Sequence, residues 1–123
     1  KKSDHDLLNL IYSELGENSK RGPLLERMIN LWPNERAYWV QLSGFYSQTG
    51  KDQDAFSVLE VAYRAGLLTR ESELITLVNY YSFFDNPFRG ARLMEREMEA
   101  GRIARNVKNL TLLSQLWQQA REH

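Results

Sequence analysis

Apolar residues recur along this chain at helical spacing, most clearly over residues 39–66. Trp39, Leu42 and Tyr46 are large, and the small Ser43 sits among them. Residues three and four apart share one face of a helix, so these four form a single stripe. Ala55, Leu59 and Ala62 form a second stripe, whose alanines let a neighbouring helix come close. Gly50 separates the stripes, and Gly66 follows the second, where glycine suits the left-handed residue that ends a helix. The pattern predicts a helix, a turn and a helix. Trp39 is the expected buried anchor, and its truncation to Ala is expected to cost ~3–5 kcal/mol.

The same pattern returns on both sides. A shift of 34 residues matches Leu8 to Leu42, Tyr12 to Tyr46, Gly16 to Gly50, Leu25 to Leu59 and Met28 to Ala62. His5 takes the place of Trp39 there, and Arg21 that of Ala55. A shift of 35 the other way matches Leu74, Leu77, Tyr81, Gly90, Met94 and Gly101, with Glu97 in the place of Ala62. Leu110, Leu113, Ser114 and Trp117 lie 36 beyond Leu74, Leu77, Val78 and Tyr81. Seven helices are predicted in all, over about residues 4–15, 22–31, 35–48, 52–65, 70–83, 87–100 and 107–121. Pro23 is expected in the first turn of the second helix and Pro87 at the start of the sixth. Trp32 and Pro33 end the second helix, and Asn34, Thr69 and Asn86 are the expected N-caps.

This is an all-α chain. It is expected to fold as one domain over residues 1–123, with repeats at about 3–34, 35–69 and 70–104 and a closing helix at 107–121. Gln115, Gln118, Gln119, Arg121 and Glu122 give that last helix a polar face, as the end of an array requires. Any amphipathic sequence permits a non-repeat bundle. Agreement of both stripes and the turn residues at successive shifts favours the repeat.

Composition narrows the function classes. The chain carries 16 basic and 16 acidic residues, so it lacks the cationic excess of a nucleic-acid binder. Arg89, Arg92, Arg96, Arg102, Arg105 and Lys108 are interleaved with Glu95, Glu97 and Glu99 and lack stacking aromatics, which reads as a solvated ion-paired face. No cysteine is present, which excludes disulfides and thiolate chemistry. No apolar run has the ~18 residues of a membrane span, and no signal-peptide pattern is seen. The chain begins at Lys1 without a methionine, so it is expected to be a piece of a longer protein. Its two histidines, His5 and His123, stand at opposite ends and predict neither a metal site nor a triad. Glu95/Glu99 and Glu71/Glu73 read as helix-surface charges, and Met94/Met98 as core filler. No cofactor and no catalytic residue are expected.

The W-x-x-L-S-x-x-Y and A-x-x-x-L-x-x-A spacings of residues 39–66 resemble the tetratricopeptide (TPR) repeat, a helix–turn–helix unit of about 34 residues. The resemblance extends, more degenerately, over nearly the whole chain. It implies a right-handed α-solenoid of about three TPR helix pairs plus a C-terminal capping helix. It also implies a non-catalytic module that binds a protein or peptide along the first helices of the pairs. The residues expected to line that groove are Asp6, Leu10, Ser13 and Glu14; Val40, Gln41, Gly44, Ser47 and Gln48; Ile75, Thr76, Asn79, Ser82 and Phe83; and Thr111, Gln115, Gln118 and Gln119. Leu10, Val40, Gln41, Gly44, Gln48, Ile75, Asn79, Phe83, Thr111 and Gln115 are the primary candidates. Gly44 would leave room for a ligand, and the amides can both donate to and accept from a peptide backbone. Tyr81, Phe83 and Phe84 cannot all face the core, and an exposed one would be a contact anchor.

One TPR subclass grips a C-terminal carboxylate with Lys, Asn and Arg. The matching places here hold Asp6, Leu10, Gln41, Ser72 and Thr76, so that mode is not expected. A narrower resemblance lies in AYWVQLSGFYSQTGKDQDAFSVLEVAYRAGLLTRESELITLVNYY and GRIARNVKNLTLLSQLW. These stretches are similar to TPR proteins that accompany the TonB–ExbB–ExbD energy-transduction system of Gram-negative bacteria. The resemblance implies a periplasmic accessory or scaffold protein in TonB-dependent iron uptake. A cytoplasmic TPR scaffold or regulator, the helical part of a larger enzyme, and self-association through the open ends are the alternatives.

Overall fold

In the computed structural model, which describes residues 1–121, all regular structure is helical. The seven helices are α1 (Lys2–Leu15), α2 (Asn18–Leu31), α3 (Arg36–Gln48), α4 (Asp52–Arg64), α5 (Glu71–Phe83), α6 (Pro87–Glu99) and α7 (Val107–Arg121). No strand occurs among the described residues. Glu122 and His123, read above as part of a polar face and as an isolated histidine, lie outside them. The helices form two compact units, one ending at Leu67 and the other beginning at Leu68. In the first, α1 packs on α2, α2 on α3 and α3 on α4; in the second, α5 packs on α6 and α6 on α7.

One turn recurs through the chain. At the end of α1, Gly16 N–H donates to Ser13 O and Glu17 N–H to Tyr12 O. Gly50 and Lys51 make the same two bonds to Ser47 and Tyr46 after α3, and Asp85 and Asn86 to Ser82 and Tyr81 after α5. Gly66 and Leu67 repeat them after α4, and Gly101 and Arg102 after α6. This pair of bonds satisfies carbonyls that the helix end leaves open, and it needs one left-handed residue. Gly16, Gly50, Gly66 and Gly101 supply it with φ of 68, 79, 78 and 82°, and Asp85 with φ 62°. The acceptors Tyr12, Tyr46 and Tyr81 are 34 and 35 residues apart, and Ala62 and Glu97 are 35 apart. Helix α2 ends differently: Trp32 N–H donates to Met28 O, and Pro33 follows.

The first unit closes over Leu24, Leu25, Met28, Tyr38, Leu42 and Phe45, with Leu8, Tyr12, Ile29, Trp32, Tyr46 and Val58 packed against them. Ala55, Leu59 and Ala62 are buried on α4, as their stripe predicts. On α3 the stripe differs from expectation. Leu42 and Ser43 are buried, but the anchor is Tyr38, 3% exposed, while Trp39 is only half-buried. Trp39 instead donates its indole N–H to Pro33 O at 2.9 Å. Tyr38, Leu42 and Phe45 are as regularly spaced as Trp39, Leu42 and Tyr46, and the helix turns the former set inward.

Each helix pair has a contact at equivalent places. Ser43 Oγ donates to Ala55 O at 3.0 Å. A Cβ on Gly90 would lie 3.4 Å from Val78 O and 3.3 Å from Tyr81 Cβ. In the first pair the place of Ser43 is taken by Asn9 and that of Ala55 by Arg21, joined by a bond from Arg21 Nε to Asn9 Oδ1 at 2.9 Å. A polar bridge thus replaces small residues. Gly22, beside it, permits the α2–α3 contact, since a Cβ there would lie 2.9 Å from Phe45 Cε2.

The second unit buries Leu74, Leu77, Val78 and Tyr81 from α5, Ala91, Leu93, Met94 and Met98 from α6, and Leu116 from α7. Helix α7 has the expected bounds but a shifted stripe. Asn109 and Leu116 are buried, while Leu110 is 44% exposed and Ser114 is exposed. Asn109 is held by its side-chain bond to Ala104 O at 2.9 Å and by its own N–H donating to Asn106 Oδ1 at 2.8 Å.

The helix starts also differ. Helix α2 begins at Asn18, so Pro23 lies in its second turn and not its first. Glu35 and Arg70, not Asn34 and Thr69, occupy the N-cap positions of α3 and α5, and Asn86 precedes α6 without a side-chain cap bond. Glu71 is otherwise engaged: its carboxylate accepts from Ala104 N–H at 2.7 Å, tying α5 to the segment before α7.

Candidate interaction surface

Side-chain bonds in the first unit set α1 alongside α3. Tyr38 donates its hydroxyl to Asp6 Oδ1 at 2.6 Å, and Asn9 Nδ2 donates to Gln41 Oε1 at 2.6 Å. Lys2 and Glu35 form an ion pair beside them. Arg21 completes the line, since its Nε bonds Asn9 while its guanidinium lies 5.8 Å from the centre of the Phe45 ring. Gln41 is therefore half-buried and spent on structure. Val40 is half-buried, and Leu10, Gly44 and Gln48 are exposed. Leu10 keeps 56% of its surface, and no atom lies within 4 Å of where a Gly44 side chain would begin. A helical glycine with empty space above it leaves backbone open to an approaching group.

The second unit shows the corresponding pairing of α5 with α7. Ser82 Oγ donates to Gln119 Oε1 at 2.9 Å, and Gln119 Nε2 donates to Ser82 O at 3.4 Å. These two residues are thereby committed to each other. Asn79, Thr111 and Gln115 are exposed and Ile75 is half-buried. Phe83 is 70% exposed, Tyr81 is buried, and Phe84 lies between these extremes. Phe83 meets Phe84 edge-on at 5.0 Å, and Phe84 stacks on Tyr80 at 6.2 Å. The three rings make an aromatic ledge at the end of α5, of which the sequence marked only Phe83 and Phe84.

A second aromatic pair escaped the sequence reading. Phe88 of α6 meets Trp117 of α7 edge-on at 5.5 Å, Arg92 lies 5.7 Å from the Phe88 ring centre, and Trp117 donates its indole N–H to Glu95 at 3.1 Å. Nearby, a pocket of about 340 Å³ is lined by Glu95, Met98, Glu99, Arg105 and Leu113. Arg105 and Glu99 approach within 3.4 Å across it. The signal was present in the i, i+4 spacing of Phe88 and Arg92.

Two phenols are strongly perturbed. Burial, and then the bond to Asp6, push Tyr38 far above the usual tyrosine value. Burial, and then the bond to Glu26, push Tyr46 up to about 12. In both cases the ionised form would lose solvation and face a carboxylate. These tyrosines act as hydrogen-bond donors that fix helix positions. His5 likewise packs edge-on against Trp32 at 5.0 Å, with Nδ1 2.8 Å from Lys1 O. Among the described residues, no three His, Asp or Glu side chains are grouped to hold a metal ion. No helix there is long and apolar enough to cross a membrane.

No protein-family model matches the chain, and no curated protein matches it either.

Proposed function

We propose that this chain is a TPR-type module, a right-handed α-solenoid, that binds a protein or peptide and catalyses no reaction. The observation that carries this reading is the two-bond turn, which returns after α1, α3 and α5 with its acceptor tyrosines 34 and 35 residues apart. A bundle of unrelated helices has no reason to repeat a turn at that interval. The side-by-side pairing of α1 with α3 and of α5 with α7 supports it too, since the first helices of successive TPR pairs are neighbours.

A binding surface is assigned within each unit to the exposed residues of these helices: Leu10, Gly44 and Gln48 in the first, and, separately, Asn79, Phe83, Thr111 and Gln115 in the second. They offer amide donors and acceptors beside isolated apolar anchors, a mixture suited to a peptide backbone with a few large side chains. The setting is a bacterial envelope assembly, with the chain as a periplasmic accessory of the TonB–ExbB–ExbD system. That part rests on the sequence resemblance alone.

Copurification from envelope fractions tests the reading, using the chain with and without Gln48→Ala, Asn79→Ala and Phe83→Ala together. All three sites are exposed, so the variant is expected to fold and to lose its partner. Undiminished partner recovery by the folded variant overturns the assignment. An export signal upstream in the full gene supports the envelope setting, and its absence there overturns it in favour of a cytoplasmic scaffold.

A further inference from the structure

The contact between α6 and α7 repeats the contact between α2 and α3. In the first unit, Tyr46 of α3 donates its hydroxyl to Glu26 of α2. In the second, Trp117 of α7 donates its indole N–H to Glu95 of α6 at 3.1 Å. The partners correspond in the repeat: Glu26 leads to Glu95 through shifts of 34 and 35 residues, and Tyr46 to Trp117 through shifts of 35 and 36. The same shifts lead from Ile29 to Met98 and from Leu42 to Leu113. One groove is thus built twice, from an acid, a ring and two apolar side chains.

The two grooves differ in what lies against them. Helix α4 lies against the first. Its Val58 packs on the cluster that α2 and α3 form, and its Ala55 O accepts from Ser43 Oγ of α3 at 3.0 Å. Helix α6 treats α5 alike: Gly90 and Met94 are buried at the places of Ala55 and Leu59, and a Cβ on Gly90 would lie 3.4 Å from the carbonyl of Val78, the residue at the place of Ser43. Between α6 and α7 lies instead the open pocket of about 340 Å³ floored by Met98 and Leu113. Val78 and Leu74 of α5 are fully buried, but the corresponding residues of α7, Ser114 and Leu110, are exposed, Leu110 by 44%. Helix α7 therefore carries the residues that α3 and α5 bury under a second helix, and carries them open.

We propose that the α6–α7 groove binds an amphipathic helix of a partner protein, one bearing the A-x-x-x-L-x-x-A stripe of α4. The internal pairs define that chemistry. Ser114 calls for a small residue opposite it, because Ala55 and Gly90 hold that place against Ser43 and Val78. Leucine follows four residues later and a second small residue at seven, as in Ala55, Leu59 and Ala62. A branched side chain just before the leucine, as Val58 is, enters the pocket over Met98 and Leu113. Apolar anchors at this spacing are how a helix is read by a groove. The proposal rests on the repeat register of the reading above and not on its binding residues. Leu113 and Trp117 lie ~120–160° around α7 from Thr111 and Gln115 at 3.6 residues per turn.

A peptide with the sequence of residues 52–66 and blocked ends is the probe. Titrated into isotope-labelled chain, it is expected to shift the amides of Leu110, Leu113, Ser114 and Trp117 and the Trp117 indole N–H to saturation. Leu59→Lys in the peptide, or Ser114→Arg in the chain, should weaken binding about tenfold or more. Ser114 is exposed, and an unchanged thermal melt confirms that its variant folds. The chain with Gln48→Ala, Asn79→Ala and Phe83→Ala together should bind the peptide as the wild type does, which separates failure of the surface above from failure of this groove. No saturable shift up to ~1 mM peptide, shifts that spare α7, or undiminished binding by Ser114→Arg overturns the proposal. Self-association of the chain that Ser114→Arg abolishes also overturns it, in favour of a second copy in the groove.

Discussion

The Glu97 carboxylate, buried on α6, is paired with the guanidinium of Arg102, whose side chain stays 45% exposed. The partners are five residues apart, and the turn that follows α6 brings them together, with Arg102 N–H also bonded to Glu97 O. The residue at the equivalent place in the preceding pair is Ala62, fully buried.

This asymmetry in exposure predicts an asymmetry in cost. Removing Arg102 leaves a buried carboxylate short of its cation, so Arg102→Met should lower stability by about 2–3 kcal/mol. The figure is below that of a fully buried pair because the guanidinium is half in water. The double variant Glu97→Leu, Arg102→Met removes the charge as well and should recover most of the loss. Urea midpoints of the wild type and both variants give the comparison. A double variant less stable than Arg102→Met alone would mean that the pair itself stabilises the fold.

Tyr38 and Trp39 should exchange the ranks that sequence spacing assigns them. Tyr38→Ala empties a core position and removes the bond to Asp6, which should cost ~3–5 kcal/mol. Trp39→Ala trims a half-buried ring and one bond to a backbone carbonyl, and should cost ~1–2 kcal/mol. Thermal melts of the two variants decide the order.

Two helical glycines should respond to alanine with opposite signs. Gly44 has open space above it, so Gly44→Ala should raise stability by ~0.5–1 kcal/mol through helix propensity. A Cβ added at Gly90 would lie 3.3 Å from Tyr81 Cβ and 3.4 Å from Val78 O, and Gly90→Ala should cost ~1–3 kcal/mol through overpacking. If a ligand approaches the α3 backbone, the stabilised Gly44→Ala protein should also bind its partner less well, separating affinity from stability.

Alkaline pH should unfold the protein through its phenols. Tyr46 ionises at about 12 in the folded state and Tyr38 higher still, against ~10 in the unfolded chain. The folded state then holds more protons, so stability is full below pH ~10 and falls above it by up to ~1.4 kcal/mol per pH unit for each tyrosine. Chemical denaturation at successive pH values above 9 should show this slope, and Tyr46→Phe should flatten it.

What could be read from the sequence depended on how local the cause was. The turns at Gly16, Gly50, Gly66 and Gly101 were legible because a left-handed residue is a backbone requirement that glycine announces. Asp85 meets the same requirement without announcing it. The phase of α3 and α7 was less legible. Two stripes one residue apart, Tyr38/Leu42/Phe45 and Trp39/Leu42/Tyr46, carry equal apolar weight, and the neighbouring helix decides which turns inward. The N-caps failed for a related reason: Asn34 and Thr69 are good capping types, but α3 and α5 start two residues later, after Glu35 and Arg70. Of the candidate surface, the exposure of Leu10, Gly44, Gln48 and Phe83 follows from helical phase, whereas the Asn9–Gln41–Arg21 line joins three helices that the sequence cannot align.

The recurrent two-bond turn joins helices that are also neighbours in sequence, so most native contacts form across short loops. Such low contact order predicts fast folding, in microseconds to milliseconds. With two compact units, hydrogen exchange should reveal at least two opening free energies, one shared by amides of α1–α4 and another by those of α5–α7.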